Sequence, residues 1–182
     1  MKELSLNILD IAENSVKAGA TLTEITLTED TDTLTLSVKD DGCGMTEDVL
    51  KSVIDPFYTT RTTRKVGLGI PLLKLAAEQT GGSLVINSKS EKEHLDAHGT
   101  EIIARFNKNH LDFTPLGDVV SSITTLVQGH PDTDFLFIHN GDGFSVRLDT
   151  RELREVLGDV PLNSFEVICW ISDYLGEQYQ GI

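Results

Sequence analysis

Thr33-Leu-Thr-Leu-Ser-Val-Lys-Asp-Asp-Gly-Cys-Gly44 is the stretch on which the fold turns. Leu34, Leu36 and Val38 alternate with threonine, serine and lysine, the period of a strand with one buried face. The alternation stops at Asp40, and glycines follow at 42 and 44. Upstream, Thr23–Thr28 alternates in the same way, and the acidic turn Glu29-Asp30-Thr31-Asp32 joins the two strands. Before them, Leu4 to Ala18 carries Leu4, Ile8, Ile11 and Ala12 at helical spacing and ends at Gly19, a helix C-cap. Downstream, the pattern predicts a short helix over 46–53, a loop over 55–66, a helix over 70–80 closed by Gly81-Gly82, and strands over 83–89 and 100–106. The fold class expected is α/β, with helices over one face of a mixed sheet.

Chemistry gathers at four places in this frame: Asp10-Ile-Ala-Glu-Asn14, Asp40-Asp-Gly-Cys-Gly44, Asp55-Pro-Phe-Tyr-Thr-Thr60 and Gly67-Leu-Gly69. An aspartate at a strand end can accept a hydrogen bond from the exocyclic amine of adenine, which guanine replaces with a carbonyl. Asp40 fits that role. Gly42 and Gly44 let backbone approach a planar base closely and permit positive φ. Gly67-Leu-Gly69 precedes Ile70-Pro71 and an apolar helical run, and proline suits the first turn of a helix. The free N–H groups of such a helix start attract phosphate. Together these features describe an ATP pocket.

The order and content of these motifs resemble the GHKL superfamily, which comprises histidine kinases, DNA gyrase, the MutL repair proteins and anti-sigma kinases; the resemblance spans roughly residues 3–106. It implies a Bergerat-type two-layer α/β sandwich that binds ATP with Mg²⁺. Asn14 matches the asparagine whose amide oxygen coordinates the metal. Asp40, Gly42 and Gly44, with Met45 following, match the first glycine box. Asp55-Pro-Phe57 and Tyr58-Thr59-Thr60 match the phenylalanine box of histidine kinases. Gly67 and Gly69 match the second glycine box, and Thr100 looks like the final adenine-side threonine. In the hydrolysing branches the residue four before the metal asparagine is a glutamate acting as general base. Here it is Asp10, one methylene shorter, which is either that base or an exposed carboxylate with no catalytic task. Lys17 matches a basic residue that touches phosphate, with a solvated surface lysine as the other reading. Arg61, Arg64 and Lys65 crowd the lid, either compensating phosphate charge or simply solvated.

The chain also departs from the pattern. Lys65 stands where the second glycine box usually begins with glycine, the lid from Thr60 to Val66 is short, and no phosphoacceptor helix is evident. Of the five histidines (His94, His98, His110, His130 and His139), His98 lies nearest the site and reads better as a loop residue than as a nucleotide contact. The formal charge of −14 disfavours a nucleic-acid or anionic-membrane surface, because phosphate backbones bind through excess Lys and Arg. No apolar run reaches the ~20 residues needed to cross a bilayer, and no signal-peptide pattern opens the chain, so a cytoplasmic location is expected. Cys43 and Cys169 show no metal-ligand spacing and read as reduced thiols.

A domain boundary is expected near residue 108, giving an ATP-binding domain over 1–107 and a small α+β domain over 108–182 in the order α-β-β-α-α. Phe135–His139 and Phe144–Leu148 flank Asn140-Gly-Asp-Gly143, a hairpin signal. Asp149-Thr-Arg-Glu152 and Asn163-Ser-Phe-Glu166 each form a capping-box pattern. Trp170 and Tyr174 are expected in the small core rather than on a recognition face. Three functions fit: an ATPase switch reset by Asp10-assisted hydrolysis, a protein kinase acting on a serine or histidine of a partner, and a sensor that binds nucleotide without chemistry. An unidentified regulatory or substrate protein is the expected partner, with a homodimer possible.

Overall fold

The computed structural model describes residues 3–54 and 68–182. Helix α1 (Leu4–Lys17) leads into strands β1 (Leu22–Glu29) and β2 (Thr33–Asp40), then α2 (Glu47–Ile54), α3 (Gly69–Gln79), β3 (Ser83–Lys89) and β4 (Gly99–Asn107). There follow α4 (Val119–Gly129), β5 (Asp134–Gly141), β6 (Phe144–Asp149), α5 (Thr150–Leu157) and α6 (Phe165–Gln180). The strands form one six-stranded sheet in the order β3-β4-β2-β1-β5-β6, mixed because β1 and β5 run parallel.

The alternation read from the sequence sets the two faces. Thr23, Ile25 and Leu27 of β1 and Leu34, Leu36 and Val38 of β2 are buried on one face, continued by Ile102, Ala104 and Phe106 of β4 and by Phe135 and Phe137 of β5. Helices cover that face. α3 packs on β3 and β4, α1 on β1 and β2, α4 on β5 and α6 on β6, with neighbouring helices touching in the same sequence. Ile8, Ile11 and Ala12 of α1 enter this core at the predicted spacing, and α1 ends where Gly19 takes φ 76°. Each isoleucine moved out of water contributes about 1.5–3 kcal/mol before the entropy of ordering is counted.

Sheet and core both cross the division expected at residue 108. β5 pairs with β1 from Leu22↔Asp134 to Thr28↔Asn140, and Phe135, Phe137, Ile171 and Leu175 join the same buried cluster as Ile8, Ile25 and Leu36. The C-terminal order α-β-β-α-α is the one observed, and Asp142-Gly143 make the turn between β5 and β6, with Gly143 at φ 80°.

Two local expectations need correction. Trp170 and Tyr174 do not complete a core: they are 47% and 38% exposed and stack on each other at 4.7 Å with 12° between the rings. Val167, Ile171 and Leu175, spaced four apart, form the buried stripe of α6, and the aromatic pair falls to one side of it. The second capping box is displaced by one residue, since Ser164 is the N-cap of α6 and its hydroxyl makes no capping bond. The first holds at its cap, where Asp149 accepts from the Arg151 amide at 3.0 Å.

Candidate functional site

Asp40 ends β2 on the helix-covered side of the sheet, half-buried and surrounded by donors. The Ser15 hydroxyl of α1 donates to its Oδ2 at 2.6 Å, while the amides of Gly42 and Thr100 donate to Oδ1 at 3.0 and 3.2 Å. A carboxylate offers about four acceptor positions, so one is left for a further donor such as an amine of a ligand. Asp41, its neighbour, is committed elsewhere. Its carboxylate accepts from the Thr21 and Leu22 amides and the Thr21 hydroxyl, holding the start of β1. Partial burial works against its ionisation, but those donors prevail and keep its carboxyl below the ordinary range.

The loop after Asp40 is set on every side. A Cβ on Gly42 would lie 2.9 Å from the Ala18 Cβ and 3.0 Å from the Ala18 carbonyl oxygen, so this glycine is required by close approach. Gly44 takes φ 64°, and a Cβ there would lie 1.9 Å from the Lys89 carbonyl oxygen. The Cys43 amide donates to Ala18 O at 2.9 Å, its carbonyl accepts from the Glu91 amide at 2.9 Å, and the Met45 amide donates to Ser88 Oγ at 2.8 Å. Ser88 Oγ also lies 2.8 Å from Thr100 Oγ1. His98 Nδ1 lies 2.6 Å from the Gly42 carbonyl oxygen. A loop whose polar groups are already paired is preorganised for whatever lies against it.

Asp10, Asn14 and Lys17 belong to the last turns of α1, with Asp10 and Lys17 exposed and Asn14 half-buried. Spacing of four puts Asp10 and Asn14 on one face. Gly69 opens α3 against Asp10: a Cβ there would lie 3.3 Å from Asp10 Cβ and 3.8 Å from Asp10 Oδ2. The first turn of α3 has no acidic residue, and its N-cap Leu68 offers no side-chain bond, so its amides are available to an anion. Glu13 points away from this face and meets His130 Nε2, beyond α4, at 2.7 Å. Lys17, in the last turn of α1, is also placed where a cation complements the helix dipole. The expected contributions of Phe57, Thr60, Arg61, Lys65 and Gly67 fall outside the described residues, as do those of Asp55 and Arg64.

Asp10 and Gly69 thus meet at the α1–α3 contact, with Asn14 one turn further along the Asp10 face of α1, and Asp40, Gly42, Gly44, Met45 and Thr100 meet between β2, β3 and β4. Sequence reasoning missed Ser15, Ser88 and the grip of His98. Ser15 had a visible signal, being a hydroxyl on the apolar stripe of Ile8, Ile11 and Ala12. Ser88 had none, because its partners come from distant strands. An open cavity of about 640 Å³ lies at the other end of the sheet, lined by Asp32, Ser83, Arg105 and Asn107 among others, and contains none of the motif residues.

Residues 2–110 match the histidine kinase-, DNA gyrase B- and HSP90-like ATPase family, and the chain belongs to it. Its ATP-binding domain is of the GHKL type, similar in sequence to those of histidine kinases. Sporulation kinase E of Bacillus subtilis is 35% identical over 92 residues, which cover 50% of this chain and 12% of the kinase. Sporulation kinase A of the same organism is 33% identical over 92 residues, covering 50% of this chain and 15% of the kinase. The chain therefore spans a small part of the length of these relatives. Among solved structures, the Aquifex aeolicus MutL ATPase domain complexed with ADP shares the fold over 86% of this chain and 69% of its own, with a TM-score of 0.55 and 16% identity. That share exceeds what residues 2–110 can supply, so the likeness of fold runs beyond residue 110.

Proposed function

We propose that the chain binds ATP with Mg²⁺ at this site and acts as a slow ATPase or ATP-dependent regulatory switch on a protein partner, in the cytoplasm. The observation that carries the reading is the remaining acceptor position on Asp40, set beside the glycines whose bare backbone leaves room for a planar base. The ADP in the MutL relative supports an adenine nucleotide. Thr100 orients Asp40, and Met45, at the end of the loop, packs against the core.

Mg²⁺ fits the donor set. It keeps several waters and takes phosphate oxygens, so a single amide oxygen from Asn14 suffices on the protein side. Among the described residues no three His, Cys, Asp or Glu side chains converge, so the other ligands would come from phosphate and water. The metal, when bound, supplies charge neutralisation at the phosphates. Asp10 lies against the start of α3, the anion-attracting end of that helix, and there acts as the base that orients the attacking water. Lys17, Arg61 and Lys65 add positive charge around the phosphates, and Phe57, Thr60 and Gly67 belong to the lid.

A kinase acting on a partner is the second reading, favoured by the identity to the sporulation kinases. Purified protein incubated with Mg²⁺ and γ-labelled ATP separates the two. Free phosphate that disappears in Asn14→Ala identifies an ATPase, and Asp10→Asn then lowers turnover by about 10²- to 10⁴-fold with ATP affinity retained. Unchanged turnover in Asp10→Asn rejects the base assignment. Label retained on protein supports the kinase, and binding without release or transfer means a sensor or a kinase waiting for its partner.

A further inference from the structure

We propose that His98 is a positioning residue for the adenine end of the nucleotide: its Nδ1–H grips the Gly42 carbonyl and holds the Gly42–Gly44 backbone in its base-accepting shape before the ligand arrives. The inference rests on the nucleotide reading above and adds a residue to it. The Nδ1···O distance is 2.6 Å, and a carbonyl oxygen only accepts, so the proton of this bond resides on Nδ1. Both the Nδ1–H neutral tautomer and the imidazolium satisfy that condition.

The position of His98 in the chain explains why the grip matters. Two residues later the Thr100 amide holds Asp40 Oδ1 at 3.2 Å, and between them Gly99, at φ 132°, passes so close that a Cβ would lie 2.0 Å from the Asp40 carbonyl oxygen. One short segment at the start of β4 thus fixes the base-reading carboxylate with Thr100 and the base-side glycine with His98. Ala18 crowds Gly42 as well, since a Cβ there would lie 2.9 Å from the Ala18 Cβ. Releasing the Gly42 carbonyl frees the peptide to rotate, and the ligand must then order it on binding, which reduces affinity without touching the phosphates.

The test compares adenosine, ADP and ATP binding by calorimetry in wild type, His98→Phe and His98→Asn. His98→Phe removes the donor and is expected to weaken all three ligands by the same factor, about three- to tenfold. His98→Asn restores a donor and returns affinity to within about twofold of wild type. Any turnover shows a raised KM with kcat unchanged. Equal affinities in His98→Phe overturn the proposal, as does a loss confined to ATP, which would mark a phosphate contact. An asparagine variant no better than phenylalanine also overturns it. Should His98→Phe fail to fold, His98→Ala takes its place, with the same loss expected and equal affinity again overturning the proposal. Wild type that binds no adenine ligand overturns the nucleotide reading together with this one, whereas wild-type binding with unaltered variants overturns this one alone.

Discussion

The two ends of the sheet each bury a polar cluster, and they differ in whether the cluster is complete. At one end Asp40 takes three donors and keeps an acceptor position open beside bare glycine backbone. At the other, His139 of β5 is 2% exposed, its Nδ1 lies 2.8 Å from the Tyr179 hydroxyl of α6, and its Nε2 lies 3.2 Å from Glu29 Oε1 at the end of β1. Lys108, just past β4, completes the set at 2.7 Å from Glu29 Oε2, and the Phe144 ring closes over His139 at 5.1 Å. Both ring nitrogens are used and no position is left for a ligand. Polar groups of the same general kind thus leave room for a ligand where one valence is left over and serve cohesion where none is.

The contrast is broken most forcefully by exchanging roles through mutation. His139→Leu leaves the Tyr179 hydroxyl and a Glu29 oxygen without their partner, and should cost about 1–3 kcal/mol of stability in denaturant titration. ATP affinity should be unchanged, since the residue lies at the far end of the sheet; a coupled loss of affinity would show that the two ends are not independent. Asp40→Asn should do the reverse. An asparagine oxygen can still accept the Gly42 and Thr100 amides and its nitrogen can donate to Ser15, so the melting temperature should hold. The remaining position becomes a donor facing the adenine amine, and ATP binding should weaken more than tenfold, about 1.4 kcal/mol or more. Equal affinity would mean that adenine lies elsewhere.

The grouping of residues at the Asp40 end was largely legible in the sequence because its parts are local. Asp40, Gly42 and Gly44 fall within five consecutive positions, and Asp10 and Asn14 share a helix face, so spacing alone groups them. His98 and Ser88 escaped because their bonds close across 56 and 43 residues of chain. The cohesive end was illegible for the same reason: Glu29, Lys108, His139 and Tyr179 come from four separate elements or their margins and share no pattern. The join of β5 to β1 was equally hidden. A half-buried strand announces its faces through alternation but not which neighbour its edge will find.

That join invites a measurement of whether the halves before and after residue 108 unfold together. Trp170 is the sole tryptophan and reports from α6, while far-UV circular dichroism reports on the whole chain. One core spanning both halves predicts coincident transitions. Separate transitions would restore two folding units and confine the contrast between the ends to one of them.

The finest distinction is in pH dependence, where the cohesive cluster should act from both sides. Burial pushes the pKa of His139 below its ordinary value, outweighing the pull of the Glu29 carboxylate, and Lys108 adds in the same direction as burial. The folded protein therefore holds fewer protons at this ring than the unfolded chain, whose imidazole titrates near about 6.5. Stability from this source is full above that pH and is lost as pH falls through it. Tyr179 behaves oppositely: burial first, and the Glu29 charge second, raise its hydroxyl above the usual phenol range. Its contribution is full below about pH 10 and is lost as pH rises beyond it. The carboxylates held low, among them Asp41 and Asp149, act in a more acidic window near about pH 4 and below, so the shoulders do not overlap. Urea midpoints measured from pH 5 to 11 should show a plateau with both shoulders, His139→Gln flattening the acid one and Tyr179→Phe the alkaline one. If both variants keep the wild-type profile, the stability of the closed end does not depend on these protons, and its polar groups contribute through shape and packing alone.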